Sequence, residues 1–268
     1  MNDYVSALIL GIVEGITEFL PISSTGHLII VNQFVGFTEQ FANMFNVVIQ
    51  LGAILSVVVY FRHRLIPFGH NNPLKNHKIF ALWKKTLVGV MPALGIGFLL
   101  ADYIEELLFN TTVVAIALII GGLILLYIEN KRSSPRISSV EQLTYRTAFF
   151  IGIIQCLAMI PGTSRSASTI IGAMLLGASR IVAAEFSFFL AIPTMVAASG
   201  YTLLKDGFIF TSHELLIVGF GFLVSFIVAW LVIAGFMNYV SRKDFKLFGY
   251  YRIVLGIIVL ISFGFFPS

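Results

Sequence analysis

Six stretches of about 20 apolar residues, each long enough to cross a hydrocarbon core, lie along this 268-residue chain at 41–61, 83–101, 112–128, 181–203, 213–236 and 248–266. Lipid offers no hydrogen bonds, so such segments must satisfy their backbones internally, and a helix does this within one segment. Pro92 marks an expected kink in the second stretch, and Pro193 falls inside the fourth. A soluble domain carries roughly 25% charged residues; here 11% are charged and 58% are hydrophobic. No soluble core of this size hides that much apolar surface. A cytosolic enzyme, a nucleic-acid binder and a disordered chain are excluded. One membrane domain over 1–268 is expected.

The net charge of +4 matters less than where the charges sit. Of the 17 Lys and Arg, six lie between Arg62 and Lys85, four between Lys131 and Arg146, and four between Arg242 and Arg252. Such clustering marks cytoplasmic loops, so the 62–85, 129–146 and 237–252 connections are read as inside, with His63, His70 and His77 as ordinary loop residues. The 102–111 connection holds Asp102, Glu105 and Glu106 without Lys or Arg and is read as outside, as is 204–212. The six spans then alternate without conflict. Cys156 is the sole cysteine, which excludes an intramolecular disulfide and a Cys-rich metal site. The opening Met1-Asn2-Asp3-Tyr4 has no basic n-region, so the first apolar segment is expected to stay in the mature protein.

Two apolar segments do not fit the spanning pattern. Residues 3–37 are broken by Glu14, Glu18, Pro21, Ser23, Ser24, Thr25, Gly26 and His27; residues 144–179 are broken by Gln155, Pro161, Gly162, Ser164, Arg165, Ser166 and Ser168. Each divides into two pieces too short to span, and the loop charges return each segment to the side where it began. That describes a re-entrant helical hairpin, whose irregular tip is tolerated only inside protein or against a watery cavity. Gly11-Ile12-Val13-Glu14 matches Gly152-Ile153-Ile154-Gln155, and Pro21-Ile22-Ser23-Ser24 matches Pro161-Gly162-Thr163-Ser164 with one residue fewer between. Each hairpin precedes three spans, the first starting outside and the second inside. The expected fold is therefore an all-α polytopic membrane protein with six transmembrane helices and two re-entrant hairpins. They form an inverted-topology repeat, 1–128 and 141–268, with the site where the hairpins meet.

Ionisable groups at membrane depth cost roughly 2.5–3.5 kcal/mol each on insertion scales and need partners. Glu14 and Glu18, four apart, share one helix face. A divalent cation, an Arg or a shared proton must separate their charges. Ser23, Ser24 and Thr25 are N-cap candidates, and a helix N-terminus also receives anions. The second tip repeats this design in Thr163, Ser164 and Ser166 and adds Arg165, a natural bidentate partner of phosphate; the alternative for Arg165 is an ion pair with Glu14 or Glu18. His27 suits a base, a nucleophile or a structural role. No residues have zinc-site spacing. Two carboxylates, a hydroxyl cluster, a histidine, an arginine and two helix N-termini suit phosphoryl transfer, and their depth suggests a lipid phosphate.

The run from Glu14 to His27, Glu-Gly-Ile-Thr-Glu-Phe-Leu-Pro-Ile-Ser-Ser-Thr-Gly-His, resembles the first signature of the undecaprenyl-pyrophosphate phosphatase, or bacitracin-resistance, family. Pro161-Gly162-Thr163-Ser164-Arg165-Ser166 resembles its second, and the likeness runs through Val48-Ile49-Gln50-Leu51-Gly52 and Gly177-Ala178-Ser179-Arg180 to Ala191-Ile192-Pro193. The resemblance implies a multi-pass enzyme of the bacterial inner membrane that removes one phosphate from undecaprenyl pyrophosphate. The product is the lipid carrier reused in cell-wall synthesis, and excess enzyme confers bacitracin resistance. It implies dependence on a divalent cation, Mg or Ca, a polyprenyl pyrophosphate substrate, no nucleic-acid partner, a homodimer as one oligomeric form, and a site opening to the periplasm. By motif position, Glu14 and Glu18 bind metal or place the attacking group, Ser24 or His27 is nucleophile or base, and Arg165 holds the pyrophosphate. Thr25, Thr163, Ser164, Ser166 and Gln50 contact substrate. Ala167 stands where the family motif usually has Gly, and Asn46 where relatives often have an acid. A flippase or other inverted-repeat transporter is the alternative reading, since broken helices are also the transporter plan. An inactive scaffold leaves Glu14, Glu18 and Arg165 unexplained.

Overall fold

The computed structural model describes residues 2–32, 34–35, 37–67, 73–131, 134–206 and 210–264. Its elements are helices: α1 (Asp3–Thr17), α2 (Ser24–Asn32), α3 (Glu39–Tyr60), α4 (Arg62–Leu65), α5 (Pro73–Leu108), α6 (Thr111–Asn130), α7 (Tyr145–Gln155), α8 (Arg165–Leu175), α9 (Arg180–Asp206), α10 (Ser212–Val240) and α11 (Lys246–Gly264). Short 3-10 turns sit before and after α7, at Val140–Gln142 and Cys156–Met159. Five helices are long and apolar enough to cross a membrane, over Gln40–Tyr60, Pro73–Leu100, Thr111–Asn130, Arg180–Lys205 and Ser212–Val240. They coincide with the first five expected spans, and the chain is a multi-pass membrane protein. The sixth expected span falls on α11, which is not among those five; its last residues, 265–266, lie outside the described residues. Helix α5 continues through Pro92 and α9 through Pro193.

The connections are shorter than the charge pattern suggests. Residues 73–85 belong to α5, and most of the 102–111 stretch forms that helix's last turns. Arg252, counted with the basic 237–252 connection, lies inside α11 and is fully buried. His70 and Arg132 lie outside the described residues.

The broken segments are helix–break–helix units. The 15 residues of α1 rise about 22 Å, and α2, α7 and α8 have 9, 11 and 11 residues. Their surroundings correspond. Helix α1 packs on α10 as α7 packs on α5; α3 packs on α10 as α9 packs on α5; α6 pairs with α11 and α3 with α9. Both short helices approach their neighbours through glycine: a Cβ on Gly11 would lie 2.9 Å from the Gly221 carbonyl oxygen, and one on Gly152 would strike that of Gly89. Close backbone approach of this kind drives helix association where lipid supplies no hydrophobic force.

The largest core cluster runs from α3 through α8 and α9 to α10 and is rich in Phe, including Phe19, Phe61, Phe186, Phe188, Phe189, Phe236 and Phe245. Outward-facing positions are also apolar: Phe98, Leu99, Leu123, Leu231 and Ile258 are exposed, the surface expected against lipid chains. One ion pair fastens the end of the bundle. Glu129, at the end of α6, is fully buried at its side chain; it accepts from Arg180 at the start of α9 and from the Phe245 backbone N–H before α11. Removing one partner of a buried pair costs about 3–5 kcal/mol, whereas an exposed pair is worth about 1 kcal/mol or less. Glu129→Ala is therefore expected to lower the unfolding temperature in detergent far more than Arg64→Ala, whose pair with Glu185 is partly exposed. Equal shifts in a thermal unfolding assay would contradict this ranking.

Candidate active site

Each break ends in a serine of unusual backbone. Ser23 has φ +73° and Ser164 has φ +70°, the two non-glycine residues with positive φ among the described residues. A left-handed serine is strained by about 1–2 kcal/mol. Each offsets this by capping the helix that follows: Ser23 Oγ accepts from the Gly26 N–H at 3.4 Å, and Ser164 Oγ from the Ala167 N–H at 3.2 Å. This stereochemistry pairs Ser23 with Ser164, Glu14 with Gln155 and Gly11 with Gly152, all 141 positions apart. The one-residue gap expected between the two motifs disappears. Arg165 therefore corresponds to Ser24, and Ser168 to His27.

The two units meet at Glu18. Its Oε1 accepts from Arg165 Nη2 at 2.8 Å and its Oε2 from Ser24 Oγ at 2.8 Å. Arg165 is thus one positive group beside the carboxylates. Glu14 lies a turn earlier, buried, within the fields of Glu18 and Arg165, and its Oε1 has no hydrogen-bond partner. Arg165 opens α8. Its Nη1 donates to the Ser187 carbonyl at 3.1 Å, its Nη2 also reaches the Met195 sulfur, and its guanidinium lies over the Phe19 ring at 5.8 Å. Phe19, fully buried against Phe188, is the floor that keeps this cation in place. Arg165 Nε, like Glu14 Oε1, is buried and unpaired. A buried orphan donor and a buried orphan acceptor beside one ion pair are a departure from ordinary protein interiors.

His27 stands apart from this junction. Its Nδ1 is 2.7 Å from the Ser23 carbonyl oxygen. A carbonyl only accepts, so that nitrogen carries the proton and Nε2 accepts from the Tyr251 hydroxyl, also at 2.7 Å. The two rings are parallel within 6°. No hydrogen bond joins His27 to Ser24 or Glu18. Ser166 is fully buried; it donates to the Leu20 carbonyl at 2.8 Å and lies 3.0 Å from Ser164 Oγ, which ties one unit's tip to the other. Thr163 presents its carbonyl to Arg252, Thr25 is partly buried at the head of α2, and Gln50 sits in α3 with no bond to either tip.

Sequence reasoning missed Tyr251 and Arg252. Arg252 donates to five backbone carbonyls, those of Leu118, Ala117, Pro21, Gly162 and Thr163. The signal was present, because Arg252 is a charge at the head of the apolar run that forms α11, but grouping it with loop charges hid it.

Among the described residues no cluster of three or more His, Cys, Asp and Glu could hold a metal by itself. Glu14 and Glu18 do fit a hard cation that keeps most of its water and takes the rest of its oxygens from phosphate. The free oxygen of Glu14 is an unsatisfied hard ligand, and Glu18 adds a second carboxylate.

Residues 7–258 match the family model described as bacitracin resistance protein BacA. The chain is 55% identical over 260 residues to undecaprenyl-diphosphatase 1 of Clostridioides difficile, covering 96% of this chain and 95% of that protein. It is 50% identical over 272 residues to the undecaprenyl-diphosphatase of Limosilactobacillus fermentum, with 98% and 99% covered, and 49% identical over 268 residues to that of Acetivibrio thermocellus, with 98% of each covered. With the family model spanning nearly the whole sequence and relatives of this identity matching it end to end, the chain belongs to the bacitracin resistance protein BacA family.

Proposed function

We propose that this protein hydrolyses undecaprenyl diphosphate to undecaprenyl phosphate and inorganic phosphate. The reaction recycles the carrier lipid for cell-wall synthesis and confers bacitracin resistance. The observation that carries the reading is the junction at Glu18. One carboxylate there holds a nucleophilic hydroxyl from its own unit and a phosphate-binding guanidinium from the other, beside an unpaired donor and an unpaired acceptor.

In the resting site Arg165 is paired with Glu18. A diphosphate offers Arg165 a bidentate partner of higher charge, including a bond for its idle Nε. Glu18 is then released from the guanidinium and becomes the stronger base for Ser24. Ser24 Oγ attacks the terminal phosphorus and its proton passes to Glu18. The bridging P–O bond breaks, and the polyprenyl phosphate leaves with charge neutralised by Arg165 and the head of α8. Water then attacks the phosphoserine phosphorus, the Ser24 Oγ–P bond breaks, Glu18 returns its proton to Ser24 Oγ, and phosphate leaves carrying both protons of the water. Glu14 and Glu18 would hold a divalent cation, Mg or Ca, which supplies charge neutralisation on the diphosphate oxygens. His27 acts from the side. With Nδ1–H bound to the Ser23 carbonyl, it steadies the left-handed serine beside the nucleophile.

The same reading places the protein in the bacterial inner membrane. Helix α11 is the sixth span, the helix–break–helix units are re-entrant hairpins, and 1–128 and 141–268 are inverted repeats; the corresponding helix pairings support this arrangement. By the loop charges the site opens to the periplasm.

Phosphate release from undecaprenyl diphosphate by the purified protein in detergent tests the activity. Arg165→Ala is expected to lose about 10²–10³-fold in kcat, Ser24→Ala at least as much, and EDTA to abolish release until Mg or Ca is restored. Absence of release from folded wild type with either metal would overturn the enzyme reading and favour transport. Tyr251→Phe keeps the stacked ring and removes one hydrogen bond, worth about 1 kcal/mol; its kcat should fall by about tenfold or less. A loss as large as that of Ser24→Ala would place His27, rather than Ser24, at the reacting phosphorus.

A further inference from the structure

Arg252 is a fully buried cation, and among the described residues no carboxylate pairs with it. A guanidinium carries N–H donors on all three of its nitrogens, and each of the three in Arg252 donates to backbone carbonyl oxygen. Nε donates to Leu118 at 3.4 Å and Nη1 to Pro21 at 3.4 Å; Nη2 is shared among Ala117 at 3.2 Å, Gly162 at 3.2 Å and Thr163 at 3.0 Å. Pro21 lies at the tip of the first broken segment, and Gly162 and Thr163 at the tip of the second. A single planar group from α11 thus holds both tips and the backbone of α6.

The surrounding sequence makes room for this one group. A Cβ on Gly121 would collide with Arg252 Nη2, and a Cβ on Gly162, at φ +88°, would lie 2.5 Å from the Val114 carbonyl oxygen. Each carbonyl fixes its peptide plane, because a trans peptide is rigid. Pro21 is three residues from Ser24, and Thr163 is two from Arg165. The positions of the hydroxyl and of the guanidinium at the Glu18 junction are therefore set through Arg252, although Arg252 makes no bond to Glu18, Ser24 or Arg165. We infer that Arg252 is a positioning residue that locks the two tips together and so sets the distance between the Glu18–Ser24 pair and Arg165.

The inference rests on the diphosphatase reading, and the test separates the two. Wild type, Arg252→Lys, Gly121→Ala and the double variant are compared for kcat per folded molecule, well below each unfolding temperature. Each is also measured for the thermal shift produced by inorganic pyrophosphate with Mg. Lys keeps the charge but lacks the planar fork; Gly121→Ala keeps the guanidinium and pushes it aside. Each single variant is expected to lose at least tenfold in kcat and most of the pyrophosphate shift. The double variant is expected to be no worse than the more severe single, because both changes act on one group. Folded variants with kcat within twofold of wild type, full rescue by Lys, or multiplying losses in the double variant would each overturn the positioning role while leaving the diphosphatase reading intact. If either single variant fails to fold, the other decides by the same criteria. A wild type that neither releases phosphate nor responds to pyrophosphate would remove both.

Discussion

A break in a helix leaves backbone N–H and C=O groups that must find partners wherever water is excluded, and the organisation of this protein follows from that constraint. The N–H groups at the heads of α2 and α8 receive the hydroxyls of Ser23 and Ser164. The carbonyls at the breaks receive donors from outside the segment: Leu20 from Ser166, and Pro21, Gly162 and Thr163 from Arg252. These side chains come from the other broken segment and from α11, so satisfying the tips also joins them. A site built on separate loops would need additional structure to bring its parts together, whereas here the backbone's own requirements do so.

The junction at Glu18 adds the electrostatic half of the same argument. Glu18 and Arg165 are nearly dehydrated, with side chains 4% and 11% exposed. Neither charge is stable there alone, because breaking a buried pair leaves an uncompensated ion. The pair is therefore a resting state that only an equivalent partner for Arg165 can open. A diphosphate is such a partner, and water is a poor one. In the proposed reaction, the same exchange that admits the substrate creates the base, which ties release of Glu18 to the presence of something to attack. Phe19 keeps the arrangement local: the ring beneath the guanidinium and its edge contact with Phe188 at 5.3 Å leave Arg165 little room to withdraw into the core.

Much of this was legible in the sequence. Apolar runs of membrane-crossing length located five long helices, because length and hydropathy are local properties. The breaks at 18–23 and 156–164 were legible for a similar reason, since Pro, Gly and polar residues interrupt an apolar pattern that has no other cause for interruption. Glu14, Glu18 and Arg165 stood out by the cost of burying charge. What was hidden depended on tertiary contact. Arg252 belongs to α11 by periodicity and to a basic connection by proximity, and only the carbonyls converging on it distinguish the two. Tyr251 is an ordinary interfacial aromatic until His27 is seen across from it. Ser166 reads as one more hydroxyl of a phosphate-binding motif, while its bond to Leu20 makes it a link between tips. The register of the two motifs was misjudged because proline identity outweighed backbone conformation; the positive φ of Ser23 and Ser164 is the stronger marker, since few residues adopt it without cause.

That corrected register exposes a division of labour. The two units share a scaffold, with glycine-lined first helices, left-handed capping serines and short second helices, yet their reactive positions differ. Glu14 corresponds to Gln155, Ser24 to Arg165, and His27 to Ser168. Two copies of the first unit would bring four carboxylates together and repel a diphosphate. Two copies of the second would bind the anion with two guanidinium groups and have no base to activate an attacking oxygen. One copy of each supplies the proposed base with its hydroxyl and a cation with its helix terminus, and the charges of Glu18 and Arg165 cancel in their pair. The scaffold's likeness delivers the geometry, but the chemistry requires the two halves to differ.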